Sequence, residues 1–213
     1  LQEGYGHIWM PYTQMQTAPL PQAAVATEGT RIILSEGTQL IDGVSSWWSA
    51  CHGYNHPHII DAITAQAQQM PHVMLAGLGN EPAFTLAGRL AALAPRTLNR
   101  VFFSESGSIS VEIAMKMATQ YWMNKGDTKR QTFMCFKDAY HGDSIATMSV
   151  GDPEDGIHGR FNGLMPSQHR VALPRDEKTT RRFEAAVAEH ASTIAAVLLE
   201  PLVQGAGGMI FHD

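Results

Sequence analysis

A turn of small residues, placed where a strand gives way to a helix, constrains this chain most. Residues 104–112 read SESGSISVE; they follow the apolar stretch Arg100-Val101-Phe102-Phe103 and open a long helical pattern. The first N–H groups of a helix have no partner inside it, and the summed peptide dipoles favour negative charge there, so main chain alone can seat a phosphate. Small side chains let the anion approach. Gly107 and Ser108 are the candidate phosphate ligands, although Ser106 or Ser108 could equally be an ordinary helix cap. The run matches neither GxxxxGK(S/T) nor GxGxxG, so neither a P-loop nor a dinucleotide fold gains support.

The rest of the pattern alternates strands and helices. Up to about residue 25 the chain reads as an arm without periodicity, followed by a hairpin of Arg31–Leu34 and Gln39–Asp42 in a small β-containing subdomain. Helices are expected from Pro57 to about Met70 and from Pro82 to before Pro95, then a strand over Arg100–Ser104. Val111, Ala114, Met115, Ala118, Tyr121 and Trp122 recur at helical spacing after the turn, and Gly126 supplies a stop. Thr132–Phe136 reads as a strand, Asp143–Met148 as a short helix, Thr179–His190 as an amphipathic helix and Ala195–Leu199 as a buried strand. The expected fold class is therefore α/β, a mainly parallel sheet with helices on both faces. Ligands of such sheets sit beyond the carboxyl ends of strands, where Ser104 to Ser108, Lys137 to His141 and Glu200-Pro201 fall.

Composition excludes several classes of function. A formal charge of −5 with scattered basic residues leaves no electrostatic footprint for nucleic acid or an anionic membrane, and no apolar run approaches the roughly 20 residues of a membrane span. Cys51 and Cys135 read as reduced packing residues, which fits a soluble, cytoplasmic protein. His52, His56, His58 and His72 lack the HExxH spacing, so no metal site is assigned. Tyr140 and His141 would give a flat cofactor an aromatic plane and an imidazole, or be a buried tyrosine and a loop histidine. On an extended strand one of Trp47 and Trp48 would be core and the other could line a pocket.

Six segments, HIWMPYTQM, DGVSSWWSACHGYNHP, HVMLAGL, FFSESGSISVEIAMKMATQYW, AYHGDSIATMSVGDP and LLEPLVQGAGGM, together resemble the class III branch of the pyridoxal-phosphate aminotransferases of fold type I. The resemblance spans essentially the whole chain. Its SSWW and QYW segments separate it from ornithine, 4-aminobutyrate and β-alanine relatives. They resemble instead the members that transfer the amino group of S-adenosylmethionine to 8-amino-7-oxononanoate in biotin biosynthesis.

The resemblance implies that Ser106, Gly107 and Ser108 seat the phosphate of pyridoxal 5'-phosphate, and that Tyr140 stacks on its ring and borders the substrate. His141 becomes a cofactor neighbour, and Trp47 and Tyr12 become substrate contacts; Glu200 is placed near the cofactor without a defined role. Met10 departs from the histidine usual before the PYT proline. A homodimer with its active site at the subunit interface is implied, residues 1–56 being an arm and part of a small domain and 57–213 the first part of the cofactor-binding domain. The family's cofactor-bonding lysine is expected beyond Asp213, and none of Lys116, Lys125, Lys129, Lys137 and Lys178 stands in its motif. This segment alone is thus expected to be inactive, with an exposed sheet edge. Competing readings are a non-catalytic phosphate-binding module and a class III ω-aminotransferase with another acceptor.

Overall fold

The computed structural model describes residues 1–95, 97–152 and 158–212; Pro153, which ends the AYHGDSIATMSVGDP segment, lies outside the described residues. The chain divides into two compact units, Leu1–Arg96 and Thr97–Asp213.

In the first unit a single helical turn, α1 (Gln2–Tyr5), precedes an antiparallel sheet of β1 (Ala24–Glu28), β2 (Arg31–Leu34) and β3 (Gln39–Ile41). The expected hairpin is present, with Arg31 opposite Ile41 and Ile33 opposite Gln39, and Gly37 turns the chain at φ +89°. β1 has no clean alternation, only Thr27 being half-buried, which is why the sequence pattern missed it. α3 (Pro57–Gln69) starts on its proline, and α4 (Glu81–Leu93) is capped by Asn80, whose side chain accepts the Ala83 N–H at 3.0 Å. Neither helix buries a residue; Ile63, Phe84 and Leu93 are exposed.

Between β3 and α3 the structure corrects the sequence reading. Residues Ser45–Trp48 form a tight turn, α2, with φ between +44° and +73°, rather than a strand, so Trp47 and Trp48 do not alternate between core and pocket and both are exposed. The cause is local. The Asp42 carboxylate accepts the N–H groups of Val44 at 3.1 Å and Ser46 at 2.7 Å, which folds the backbone back directly after β3. Cys51, on the same connection, is exposed rather than packed.

In the second unit, α5 (Gly107–Asn124) follows the small-residue turn and ends before Gly126 at φ +83°. β4 (Thr132–Phe136) is the central strand of a parallel sheet in the order β5, β4, β6, with β5 (His169–Val171) and β6 (Ile194–Val197) at its edges. The crossovers carry α6 (Ile145–Val150), a 3₁₀ turn over Gly159–Leu164, and α7 (Glu177–His190) with an Asp176/Thr179 capping box. A two-stranded hairpin, β7 (Val203–Gln204) and β8 (Ile210–Phe211), follows β6.

Alternation along β4 explains the layering. Phe133 and Cys135 share one face and pack with Met115 of α5 and Val150 of α6, while Phe136 on the other face meets Phe183 of α7, ring centroids 5.7 Å apart. Helices therefore cover both faces, as expected. Each of the buried ones among these, Phe133, Cys135, Met115, Val150 and Phe136, contributes about 1.5–3 kcal/mol. Burial also pushes the Cys135 thiol up to about 11, a rise that Asp152 reinforces and Arg170 opposes, so at neutral pH it is a packing group.

Two strands are corrected. Residues 100–104 form no strand and join no sheet among the described residues, because a strand exists through its ladder and none of those residues pairs with this segment; Phe102 is exposed. β6 is a half-exposed edge rather than a buried strand and stops at Val197, with Leu199 exposed. Its position is fixed from α5: the Trp122 indole donates to the Ala195 carbonyl at 2.8 Å, and Arg130, lying over the same indole, donates to the Ile194 carbonyl at 2.9 Å. Trp122→Phe keeps the packing but strands that acceptor, and we expect a loss of about 1–3 kcal/mol in denaturant unfolding; an unchanged midpoint would mean that the bond contributes nothing to holding β6.

Candidate functional site

The turn before α5 resolves the first ambiguity. Ser106 is the helix cap, its Oγ accepting the Ile109 N–H at 3.2 Å, which leaves the N–H groups of Gly107 and Ser108 with no acceptor among the described residues. These are the first two amides of an 18-residue helix, and the dipole there favours an anion. The Ser108 hydroxyl accepts the Asp143 N–H at 3.1 Å and keeps its own proton to donate. Gly142, at φ +129°, lies so close that a Cβ on it would stand 2.8 Å from Ser108 Cα and nearer still to the hydroxyl. A side chain at position 142 would collide with Ser108 in the first turn of the helix.

The loop leaving β4 thus reaches the helix N-terminus, and the loop leaving β6 holds it there. Glu200 accepts the Tyr140 N–H through one carboxylate oxygen and the Gly205 N–H through the other, each at 2.9 Å. Gln204 donates to the Lys137 carbonyl at 2.6 Å, and Asp152 accepts the Asp138 N–H at 2.9 Å. All three expected strand ends therefore meet, although the first is not a sheet strand. Glu200, without a defined role in the sequence, is a clamp on the loop backbone.

Asp143, expected to open a short helix, lies outside α6. That helix begins two residues later, with Ser144 in the cap position, and the Asp143 carboxylate instead accepts the Tyr140 hydroxyl at 2.8 Å and contacts the His158 ring at 2.9 Å. The N–H of Ala146, in the first turn of α6, goes to Glu112 of α5 at 3.3 Å. Sequence reasoning missed Gln204, Asp152, Glu112 and His158 as site-builders. Glu112, Asp152 and Gln204 lie within the segments that carry the resemblance, but no local pattern gives them a role, and His158 lies in none of those segments.

His141 has a buried Nε2 with no partner among the described residues. Burial holds its pKa below the ordinary imidazole value of 6.5, with the Glu200 charge pulling the other way. That burial favours the neutral ring.

In the first unit the structure brings Tyr12 and Trp47 together edge to face, ring centroids 6.0 Å apart and planes at 81°, both exposed. The turn bearing Trp47 is tied down by Asp42, which also accepts the Tyr54 hydroxyl at 2.5 Å. That bond lowers the Asp42 pKa and raises that of Tyr54. Among the described residues no three His, Cys, Asp or Glu side chains converge to hold a metal ion, and no helix is long and apolar enough to cross a membrane.

Residues 12–213 match the family model of the class-III aminotransferases. The chain belongs to that family. It is 41% identical to the adenosylmethionine-8-amino-7-oxononanoate aminotransferase of Mycobacterium leprae, over 97% of this chain and 50% of the relative. The crystal structure of the Methanocaldococcus jannaschii adenosylmethionine-8-amino-7-oxononanoate aminotransferase superposes with a TM-score of 0.92 at 35% identity, over 99% of this chain and 48% of that one. An amine transaminase from an uncultivated Pseudomonas species, in its PLP-bound form, superposes with a TM-score of 0.83 at 31% identity, covering 96% and 50%. The chain spans about half the length of the curated relatives it matches. Its architecture is that of the class III, fold type I aminotransferases.

The state of His141 sets a pH dependence. Its folded pKa lies below the unfolded value, so the unfolded state binds more protons in the window beneath 6.5, and stability falls as pH drops through the folded value. In the full-length protein, His141→Asn should flatten the thermal-midpoint profile below pH 6.5 relative to the parent; parallel profiles would show that His141 is not the titrating group.

Proposed function

We propose that these residues are the phosphate seat and ring platform of a pyridoxal-phosphate-dependent aminotransferase. In its full-length form it moves the amino group of S-adenosylmethionine to 8-amino-7-oxononanoate, giving 7,8-diaminononanoate for biotin synthesis. The observation that carries the reading is the pair of amides at Gly107 and Ser108 with no acceptor among the described residues, beside a glycine packed too closely on Ser108 to carry a side chain. The names and identities of the relatives support this substrate pair over another ω-amino acceptor.

The residues fit the cofactor. The two amides and the Ser108 hydroxyl would hold an anionic tail, and the phenol of Tyr140, its backbone clamped by Glu200, would offer a flat face to a heterocycle. The neutral His141, with an unfilled ring nitrogen, borders the same loop. When bound, pyridoxal phosphate supplies a conjugated ring that takes up the electron pair released as a substrate carbon loses its proton. This chain's residues bind and orient. Gly107 and Ser108 would fix one end and Tyr140 the plane; Tyr12 and Trp47, in the first unit, are proposed as substrate contacts. A homodimer and a cytoplasmic location complete the proposal; the apolar residues exposed on α3 and α4 and the unpaired Cys51 and Cys135 support them.

Gly142→Ala in the full-length protein places a methyl against Ser108. The parent should bind pyridoxal 5'-phosphate far more tightly than pyridoxal, and the variant should lose most of that preference, on the order of 2–3 kcal/mol for charge-assisted bonds. A preference that survives the methyl intact would place the phosphate elsewhere. Product formation from S-adenosylmethionine and the oxononanoate, compared with other amino acceptors, tests the substrate pair.

A further inference from the structure

His158 belongs to none of the segments that carry the family resemblance, yet it is among the few buried polar side chains, only 6% exposed. Its Nε2 lies 2.9 Å from one carboxylate oxygen of Asp143, while the other accepts the Tyr140 hydroxyl at 2.8 Å. An ionised carboxylate can only accept, so Nε2 carries the proton and donates it. The imidazole and phenol planes lie 22° apart, with centroids 6.0 Å apart. Tyr140 is thus referenced twice to one buried residue, through Asp143 at its hydroxyl and directly along its ring.

The burial difference says which partner anchors which. The Asp143 side chain is 52% exposed and sits on a loop, whereas that of His158 is 8% exposed. An exposed carboxylate samples several rotamers at little cost, and a donor held in a packed environment selects one of them. The Tyr140 hydroxyl, bonded to that carboxylate, is then fixed as well.

We propose that His158 is a positioning residue of this site: by donating to Asp143 it sets the carboxylate and, through it, the plane of the Tyr140 phenol. The inference rests on the reading of Tyr140 as the ring platform. His158 touches no reacting atom in this scheme; it determines how flat and how constant the platform is.

The test uses the full-length protein and four substitutions, three at His158 and one at Tyr140. His158→Phe keeps an aromatic ring but removes the donor, whereas His158→Gln places an amide N–H near the position of Nε2. The readouts are the visible circular dichroism of the bound cofactor, which reports the ring's asymmetric surroundings, and kcat and KM measured separately. The Phe variant should change the dichroic band and raise the substrate KM about tenfold, the scale of one hydrogen bond to a charged group, with kcat changed much less. The Gln variant should restore most of both. Should the Phe variant not fold, His158→Asn, whose shorter amide falls short of Asp143, carries the same expectation. A dichroic band and KM equal to the parent's in the donor-less variant, or a Gln variant as impaired as it, would overturn the proposal. Tyr140→Ala separates the two layers: if it leaves the band unchanged, the platform reading itself fails, whereas a changed band there beside an unaltered His158→Phe sinks the positioning role alone.

Discussion

The backbone of the loop leaving β4 is held by side chains from elsewhere in the second unit, and the candidate site depends on that restraint. Glu200 grips Tyr140 and Gly205, Gln204 takes the Lys137 carbonyl, and Asp152 takes the Asp138 N–H. Asp138 sits at φ +60°, a conformation that a non-glycine residue keeps only where its surroundings over-determine it. Gln204 and Asp152 are buried, so losing either partner would leave a polar group unsatisfied rather than merely solvated. That asymmetry makes the loop stiff, and only a stiff loop can keep Gly142 against Ser108.

The resulting anion seat uses almost no formal charge. In the proposed reading a chain of net charge −5 would bind the phosphate through two main-chain amides, a hydroxyl and a helix dipole, so recognition would depend on backbone position and not on mobile lysines. Such a site tolerates surface change and is sensitive to any atom added at Gly107, Ser108 or Gly142. The aromatic pair of Tyr12 and Trp47 follows a comparable logic in the first unit, where Asp42 fixes an otherwise costly left-handed turn through hydrogen bonds to its N–H groups.

Periodicity made the long elements legible. The α5 stripe, the Pro57 and Pro82 starts, the hairpin and β4 all appear where apolar spacing and turn residues place them, because local pattern and final packing agree there. What failed has physical causes. Residues 100–104 have strand composition, but pairing is a property of a neighbour and not of the segment. The SSWW run reads as extended because nothing local reveals that Asp42 will capture two amides beyond it. β5, β7 and β8 are too short to carry an alternation. At the site, the small-residue turn and the YHG segment were visible, and which serine caps the helix was not; Ser106 does so, freeing Ser108 for the loop. Asp152, Gln204 and His158 act across long sequence separations, where a single sequence is silent.

The most direct measurement of the central claim is the pair of backbone amide resonances of Gly107 and Ser108 in the full-length protein, followed as pyridoxal 5'-phosphate is added to the cofactor-free form. Both should move to the downfield positions of strongly hydrogen-bonded amides and become protected from exchange, in step with cofactor binding. If the cofactor binds while both resonances stay where they were, the phosphate is held somewhere else and the account of this site is wrong.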